Sequence, residues 1–237
     1  MNLKNAIALV SGGSAGIGYS IAKTLVESGA KVAVTGRDQA RLKETAETLG
    51  VHPIHADVAN EVDVARTYKE VLDKFGDLDI LVNNAGVGIF KPLVELDTAD
   101  FERIFAINVR GAMLMAREAA KIFIRRNHGN MINIASTAGV RGAPNGTAYY
   151  GSKFALRGMT ECWRAELRKN NVRVMLVNPS EVITNFGATA GFPGFSERSS
   201  EGKLRGDEIA HAVKSILEMD DRGFTVELTV FATNPKD

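Results

Sequence analysis

The chain has 237 residues, of which 45% are hydrophobic and 24% are charged, and its formal net charge is +1. This composition is typical of a globular protein, and the near-neutral charge excludes a general attraction to nucleic acid or to an anionic membrane. A single cysteine, Cys162, excludes an internal disulfide and a multi-cysteine metal site, and we expect its side chain to be small and buried. The sequence shows neither the apolar core of a signal peptide nor a membrane-spanning run, so we expect a cytoplasmic protein.

Short apolar runs alternate with stretches of helical periodicity along the whole chain. The predicted strands are 6–10, 31–35, 53–56, 80–82, 131–135, 172–177 and 224–231. The predicted helices are 16–28, 38–49, 61–75, 98–126, 149–169 and 207–219. Continuously apolar strands are typical of a parallel sheet covered on both faces, whereas the alternation in 224–231 predicts an edge strand. The pattern therefore predicts one α/β domain over 1–237, with a doubly wound parallel sheet and helices on both faces.

The segment 185–206 breaks this alternation because it is rich in Gly, Ser and Phe and has no period. A loop of this length inside a compact domain is usually functional or disordered. Phe186, Phe192 and Phe195 could serve as simple loop anchors. We favour an apolar lid over a substrate site for this insertion.

A glycine-rich segment joins the first predicted strand to the first helix, with the spacing Gly-x-x-x-Gly-x-Gly. Glycine permits a tight turn and a close approach of the backbone to a pyrophosphate, and the helix N-terminus offers free amides to the phosphates. An ordinary glycine-rich turn is the alternative interpretation. The candidate dinucleotide-binding residues of this segment are Gly12, Ser14, Gly16, Ile17 and Gly18.

The end of the second predicted strand bears on which dinucleotide binds. Enzymes that use NAD(H) usually place a carboxylate here for the ribose 2′-hydroxyl, whereas this chain has Gly36 followed by Arg37. A guanidinium can bind a 2′-phosphate bidentately, so the sequence favours NADP(H) over NAD(H). Asp38 is either the N-cap of the following helix, which we favour, or a ribose ligand.

Tyr149 and Lys153 are four residues apart and share one face of a predicted helix, thirteen residues after Ser136 at a strand end. Reduction of a ketone needs an acid that protonates the carbonyl oxygen, and a nearby ammonium is expected to lower the pKa of a tyrosine for this purpose. The Ser136 hydroxyl would hold the substrate oxygen. A Tyr-x-x-x-Lys pair also occurs in helices by accident, so its context decides between the two interpretations.

Together these motifs resemble the short-chain dehydrogenase/reductase family over nearly the whole chain, and most closely its 3-oxoacyl-[acyl-carrier-protein] reductases and carbonyl reductases. The resemblance implies a single-domain Rossmann fold with seven strands in the order 3-2-1-4-5-6-7. It implies that Tyr149 and Lys153 are catalytic, with Lys153 also bound to the nicotinamide ribose. Asn108 would complete the catalytic set by positioning a water that links Lys153 to solvent.

The same resemblance implies further cofactor contacts after the third, fourth and sixth strands. Asp57 and Val58 would contact the adenine, while Pro179, Val182 and Thr184 would line the nicotinamide. The cofactor wall would come from the Asn-Asn-Ala-Gly segment, with Asn84, Ala85 and Gly86. Ser180 replaces the usual glycine of the family, so it would be strained if that position needs a positive φ.

The function that the resemblance implies is hydride transfer between NADP(H) and a ketone or secondary alcohol, with 3-oxoacyl thioesters as one substrate class. The alternative is an NADP-binding regulatory or scaffold protein without turnover. The scattered histidines predict no metal site. We expect a small-molecule substrate, no nucleic-acid or membrane partner, and a homotetramer or homodimer paired through the helices 98–126 and 149–169, as in relatives.

Overall fold

A computed structural model describes residues 1–190 and 201–234 of the chain. Its seven strands form one parallel sheet in the order β3-β2-β1-β4-β5-β6-β7, which confirms the predicted order. The strands are β1 Ile7–Val10, β2 Lys31–Gly36, β3 His52–His55, β4 Ile80–Asn83, β5 Gly129–Ile134, β6 Val172–Pro179 and β7 Glu227–Val230. Most central strands are fully buried, whereas β7 is an edge strand and only partly buried, as its alternation predicted.

The helices cover both faces of the sheet. They are α1 Gly16–Glu27, α2 Gln39–Leu49, α3 Glu61–Phe75, α4 Thr98–Phe105, α5 Ala112–Arg126, α6 Thr147–Leu167, α7 Phe186–Thr189 and α8 Gly206–Glu218. The long helix predicted over 98–126 is interrupted, because Ala106–Gly111 forms a π-helical turn between α4 and α5. A single π-helical turn adds about one residue to the helical repeat, so the spacing of apolar residues along 98–126 still predicts one continuous helix.

Successive strand residues point to opposite faces and so build two hydrophobic layers. Val10 and Val34 pack with α1 and α8 on one face, and Leu9 and Ala33 pack with α3 and α5 on the other. Because helices cover both faces, the ends of the strands remain open to solvent. Ligands of open α/β sheets bind at the carboxyl ends of the strands, so we expect the site at these ends.

A chain of buried amide hydrogen bonds ties the helices to the carboxyl half of the sheet. Asn83 Nδ2 donates to Asn133 Oδ1 at 3.0 Å, and Asn133 Nδ2 donates to Thr160 Oγ1 at 2.8 Å. Asn83 Nδ2 also donates to the carbonyl of Ala112 at 3.2 Å. These contacts link β4 to α5 and β5 to α6, so they fix the position of both helices against the sheet.

The prediction for Cys162 was wrong because its side chain is exposed. Thr160 faces the sheet from α6, and a residue two positions later is rotated by roughly 200° on a helix. In 1–190 and 201–234 the structure has no helix long and apolar enough to cross a membrane. The same residues contain no group of three or more His, Cys, Asp or Glu side chains that could hold a metal ion.

Only the two ends of the predicted substrate loop 185–206 are part of the described structure. At one end, α7 begins at Phe186. At the other end, Leu204 pairs with Val182, and the Ile183 N–H donates to the Leu204 carbonyl at 2.7 Å. Phe192 and Phe195, which we predicted as part of a lid, lie outside the described residues.

Candidate active site

A cleft of about 560 Å³ opens at the carboxyl ends of the strands and brings together residues from six of the seven strand ends or the loops that follow them. Its volume falls in the range of small-molecule and cofactor sites. The predicted site residues that line it are Gly12, Ser14, Gly16, Ile17, Arg37, Asp57, Val58, Asn84, Ala85, Gly86, Ser136, Tyr149, Lys153, Pro179, Val182 and Thr184. Two predicted site residues, Gly18 and Asn108, do not line the cleft.

The glycine loop is fastened to the end of β4 by a reciprocal set of hydrogen bonds. Ser11 Oγ accepts from the N–H groups of Asn84 and Ala85 at 3.0 and 3.1 Å. Asn84 Nδ2 donates to the carbonyls of Ser11 and Gly12, both at 3.1 Å. Gly12 has a φ of +64°, which an L side chain rarely adopts. The loop is therefore held rigidly in a shape that needs glycine.

Gly18 contributes to packing and does not line the cleft. A Cβ atom there would lie 2.3 Å from the Gly12 carbonyl oxygen and 2.4 Å from Asn84 Nδ2. The absence of a side chain lets α1 approach the glycine loop, and this approach aims the start of the helix at the cleft. Gly18, which the sequence predicted as a cofactor-binding residue, contacts the glycine loop and the Asn84 side chain in the structure.

The N-terminus of α1 differs from those of the next two helices. Asp38 caps α2 by accepting from the Arg41 N–H, and Asn60 caps α3 by accepting from two N–H groups. The N-cap of α1 is Ala15, which makes no side-chain hydrogen bond. The first amides of α1 therefore face the cleft without a side-chain acceptor, which is the arrangement that binds phosphate groups. These residues fit the pyrophosphate of a dinucleotide.

The end of the cleft beside β2 is lined by two arginines, Arg37 and Arg41, and by one carboxylate, that of Asp38. The Asp38 carboxylate accepts from the Arg41 N–H at 3.1 Å and lies 3.3 Å from the Arg41 guanidinium. The interpretation of Asp38 as a helix N-cap is therefore confirmed. Gly36 leaves space for Ser14, since a Cβ at position 36 would lie 2.8 Å from Ser14 Oγ. Sequence reasoning missed Arg41, although it stands in the first turn of α2, close to Arg37.

Tyr149 and Lys153 lie in the first turns of α6, and both are buried against the end of β5. The Lys153 Nζ atom donates to the Ile134 carbonyl at 3.0 Å and lies 5.8 Å from the centre of the Tyr149 ring. Ser136 follows β5 and lines the cleft together with Tyr149 and Lys153. The predicted trio therefore meets at one wall of the cleft.

Burial controls the ionisation of this trio. It raises the pKa of Tyr149 to about 12, with the hydrogen bond from Ser136 lowering that pKa and the nearby Tyr150 raising it. Burial also lowers the pKa of Lys153 to about 8. The expectation that Lys153 lowers the pKa of Tyr149 was wrong for the protein groups by themselves, because desolvation of the phenolate is the largest effect. At neutral pH the tyrosine is a protonated phenol beside a charged lysine.

Asn108 lies in the π-helical turn and is engaged with protein groups. Its Nδ2 donates to the Val87 carbonyl at 2.8 Å and to Ser152 Oγ at 3.0 Å, and its Oδ1 accepts from the Val87 N–H at 2.8 Å. A Cβ at Gly86 would lie 3.3 Å from Asn108 Oδ1 and 3.8 Å from Lys153 Nζ. The side chain thus fixes the loop after β4 close to Lys153, and its amide nitrogen has no donor left for a water.

The segment after β6 shows no backbone strain at Ser180, since its φ is not positive. Its N–H donates to the Val230 carbonyl at 2.9 Å, and its Oγ accepts from the Ala232 N–H at 3.2 Å. The replacement of the usual glycine is therefore accommodated by contacts with β7.

Thr184 lies beside the glycine loop, because its Cγ2 atom is 3.2 Å from the position that a Cβ at Gly16 would occupy.

The sequence of the chain is similar to those of known oxidoreductases. The family described as short chain dehydrogenase matches residues 6–191. A (+)-borneol dehydrogenase 2 from Salvia officinalis is 40% identical over 191 residues, which cover 78% of this chain and 68% of the relative.

Two solved structures share the fold over nearly the whole chain. An alcohol dehydrogenase from Thermococcus sibiricus complexed with 5-hydroxy-NADP has a TM-score of 0.87 and 31% identity, and the alignment covers 98% of this chain and 99% of that one. A 3-ketoacyl-(acyl-carrier-protein) reductase from Brucella melitensis complexed with NADH has a TM-score of 0.90 and 30% identity, with 98% of each chain covered. The chain thus belongs to the short-chain dehydrogenase/reductase family, whose members are oxidoreductases that use a nicotinamide cofactor on alcohol and carbonyl substrates.

Proposed function

We propose that the chain, as one domain over 1–237, transfers a hydride between NADP(H) and a ketone or secondary alcohol, with Tyr149 as the acid and base. The observation that carries this proposal is the meeting of Ser136, Tyr149 and Lys153 at one wall of the dinucleotide cleft. A protein that only binds nucleotides has no physical need for a buried lysine beside a buried tyrosine. Burying that lysine costs stability, which supports a chemical role.

The bound dinucleotide supplies the hydride for ketone reduction or accepts it in alcohol oxidation. In the reductive direction the Tyr149 phenol, with a pKa of about 12, is protonated at neutral pH and donates its proton to the developing alkoxide. The Ser136 hydroxyl donates a hydrogen bond to the same oxygen and stabilises its charge. In the oxidative direction Tyr149 must lose its proton first, and the positive charge of an oxidised nicotinamide, added to that of Lys153, would favour the phenolate.

The preference for NADP(H) is supported by the charges at the end of β2. Arg37 and Arg41 would hold a 2′-phosphate, and Ser14 Oγ would donate to it. The Asp38 carboxylate is engaged with the start of α2, so it does not stand in for the ribose-binding carboxylate of NAD(H) enzymes. The amides at the start of α1 would hold the pyrophosphate, and Thr184 would bind the nicotinamide carboxamide.

The remaining predicted residues have supporting places in the same scheme. Asp57 and Val58 line the cleft next to the end of β3, where the adenine would lie. Asn84, Ala85 and Gly86 line the cleft and would form the wall beside a bound dinucleotide. The 3-oxoacyl thioesters are a second candidate substrate class, because the Brucella reductase aligns over 98% of both chains.

A steady-state assay with NADPH and NADH side by side, over a panel of ketones, tests the proposal. We expect turnover of at least one ketone and a higher kcat/KM with NADPH. Binding of NADPH without any turnover would favour the scaffold alternative. A large preference for NADH would contradict the assignment of Arg37 and Arg41.

We also propose that the chain forms a homodimer or homotetramer through α5 and α6. Ile124 and Phe154 support this, because they are large apolar side chains on these helices and are 46% and 45% exposed. Sedimentation at working concentration should give a dimer or tetramer. A monomer under these conditions would contradict the assembly without affecting the proposed chemistry.

A further inference from the structure

The ring of Tyr149 contacts two phenylalanines, Phe90 in the loop after β4 and Phe186 at the start of α7. The centroids of Phe90 and Phe186 each lie 5.4 Å from that of Tyr149, with interplanar angles of 54° and 51°. We call Phe90, Tyr149 and Phe186 the aromatic clamp. Tyr149 supplies the proton in the proposed function, so the clamp borders the place where the reacting carbonyl must lie.

Backbone N–H groups fix the positions of the two phenylalanines. The Phe90 N–H donates to the Ala190 carbonyl at 3.3 Å, and the Phe186 N–H donates to Thr184 Oγ1 at 3.2 Å. Gly88 is buried, and a Cβ there would lie 2.7 Å from Phe186 Cζ. The glycine therefore makes room for the Phe186 ring against the loop that carries Phe90.

The two segments that carry Phe90 and Phe186 contain no charged residue. Residues 87–90 and 186–190 contain no acidic or basic side chain. The next residue, Lys91, is paired with Asp97 at 3.1 Å and Asp100 at 2.5 Å. Lys153 is the charged group beside the Tyr149 ring, and its Nζ donates to the Ile134 carbonyl.

The other charged side chains that line the described cleft come from the ends of β2 and β3, from the start of α2 and from α4. They are Arg37, Asp38, Arg41, Asp57 and Arg103. A carboxylate near the reacting carbonyl would lose its hydration among aromatic rings. An apolar ring would instead bury its hydrocarbon surface against them.

From this arrangement we infer that the enzyme acts on neutral, mainly hydrocarbon ring ketones and the corresponding secondary alcohols, and discriminates against ketones that carry a carboxylate beside the carbonyl. The inference rests on the proposed function. In the reductive direction the hydride of the reduced dinucleotide forms a C–H bond at the carbonyl carbon while Tyr149 gives its proton to the oxygen. The ketone is reduced to the alcohol and the dinucleotide is oxidised.

The test measures kcat/KM of the full-length protein with NADPH for cyclohexanone, 2-butanone and acetoacetate. We expect cyclohexanone to exceed acetoacetate by about tenfold or more, the scale of pocket discrimination. A higher value for acetoacetate than for cyclohexanone would overturn the inference while leaving the proposed function intact. No turnover of any ketone would overturn both.

Variants of the clamp supply a second, independent readout. Phe186→Ala removes one ring, and Gly88→Ala displaces the same ring, so both should lower the ratio of kcat/KM for cyclohexanone over 2-butanone by about tenfold. A general folding defect would lower both rates and leave the ratio unchanged. The matched control is Phe231→Ala, which removes a phenylalanine that is 62% exposed after β7. An unchanged ratio in both clamp variants would contradict the inference.

Discussion

The two ends of the central sheet treat a buried cation in opposite ways. At the amino end, Arg173 Nε donates to Asn130 Oδ1 at 2.6 Å, and its two Nη atoms donate to the carbonyls of Met219 and Leu217 at 3.1 and 3.0 Å. Asp221 lies 3.6 Å from the same guanidinium. This cation therefore has an acceptor in nearly every direction.

The cation at the carboxyl end is far less well partnered. Lys153 is buried, and in the described part of the chain its Nζ has one hydrogen-bond acceptor, the Ile134 carbonyl. Burial lowers the pKa of both cations, but only that of Arg173 is raised again by a nearby carboxylate. The amino end therefore stabilises its buried cation with hydrogen bonds, whereas the carboxyl end leaves its cation poorly partnered, at a cost in stability that suits a chemical role.

Replacing Lys153 should produce the largest effect and should move activity and stability in opposite directions. In Lys153→Met we expect kcat to fall by about a thousandfold, because proton transfer loses its cation. The free energy of unfolding at pH 7 should rise by up to about 3 kcal/mol, since a pKa lowered from 10.5 to about 8 has this cost. Turnover kinetics and urea unfolding measure the two quantities.

The pH dependence of that stability difference follows from the sign of the shift. Below pH 8 the lysine is charged in the folded and the unfolded chain, so the desolvation cost is fully present. Between about pH 8 and 10.5 the folded lysine is neutral, and the advantage of Lys153→Met should disappear. The control is Lys169→Met at an exposed site. A Lys153→Met protein less stable than wild type at pH 7 would contradict the comparison.

Replacing Arg173 should have the reverse outcome. Arg173→Met leaves the buried Asn130 Oδ1 without its guanidinium donor, while the Leu217 and Met219 carbonyls keep only the Met1 amino group. We expect the free energy of unfolding to fall by about 3 kcal/mol. The kcat/KM of the folded protein should stay within about twofold, because the site lies at the other end of the sheet. Arg222→Met is the matched control, at a side chain that is 91% exposed. An unchanged unfolding midpoint would show that the network carries no stability.

The charge at the end of β2 should affect cofactor choice more than stability. We expect Arg37→Ala and Arg41→Ala each to lower the NADPH-over-NADH ratio of kcat/KM by about tenfold, the equivalent of roughly 1.4 kcal/mol. Lys43→Ala on the same helix, 78% exposed, should leave the ratio unchanged. If neither arginine variant alters the ratio, the assignment of the 2′-phosphate site is wrong.

The smallest expected effect concerns Asp38. Removing this N-cap in Asp38→Ala should lower the free energy of unfolding by about 1 kcal/mol. The Kd of NADH should not rise, because the carboxylate is bound to the start of α2. Thermal unfolding and fluorescence titration measure the two values. A weakened affinity for NADH with unchanged stability would restore the interpretation of Asp38 as a ribose ligand.

The sequence predicted those features of the fold and the site that depend on local pattern. Continuous apolar runs identified the buried strands, and a spacing of four placed Tyr149 and Lys153 on one helix face. The glycine spacing placed the uncapped start of α1 at the cleft. These are short-range properties, so one sequence is sufficient to predict them.

Features that depend on tertiary contact could not be predicted. The π-helical turn at 106–111 leaves the apolar period almost unchanged, and its Asn108 is explained only by the Val87 backbone that it binds. Cys162 faces solvent because neighbouring positions on α6 supply the buried face. Arg173 sits within an apolar strand pattern, and its role depends on carbonyls at the end of α8, more than forty residues later in the chain. The shifted pKa of Tyr149 likewise depends on burial, which no spacing reveals.

A single-turnover assay of NADPH oxidation with a reducible ketone can compare two adjacent tyrosines and so isolate the role of Tyr149. Tyr149 lines the cleft with Ser136, whereas Tyr150 packs its ring on Gly146. We predict that Tyr149→Phe slows hydride transfer by about a thousandfold while NADPH still binds, and that Tyr150→Phe stays within a few fold of wild type. Equal rates for Tyr149→Phe and wild type would show that Tyr149 does not supply the proton.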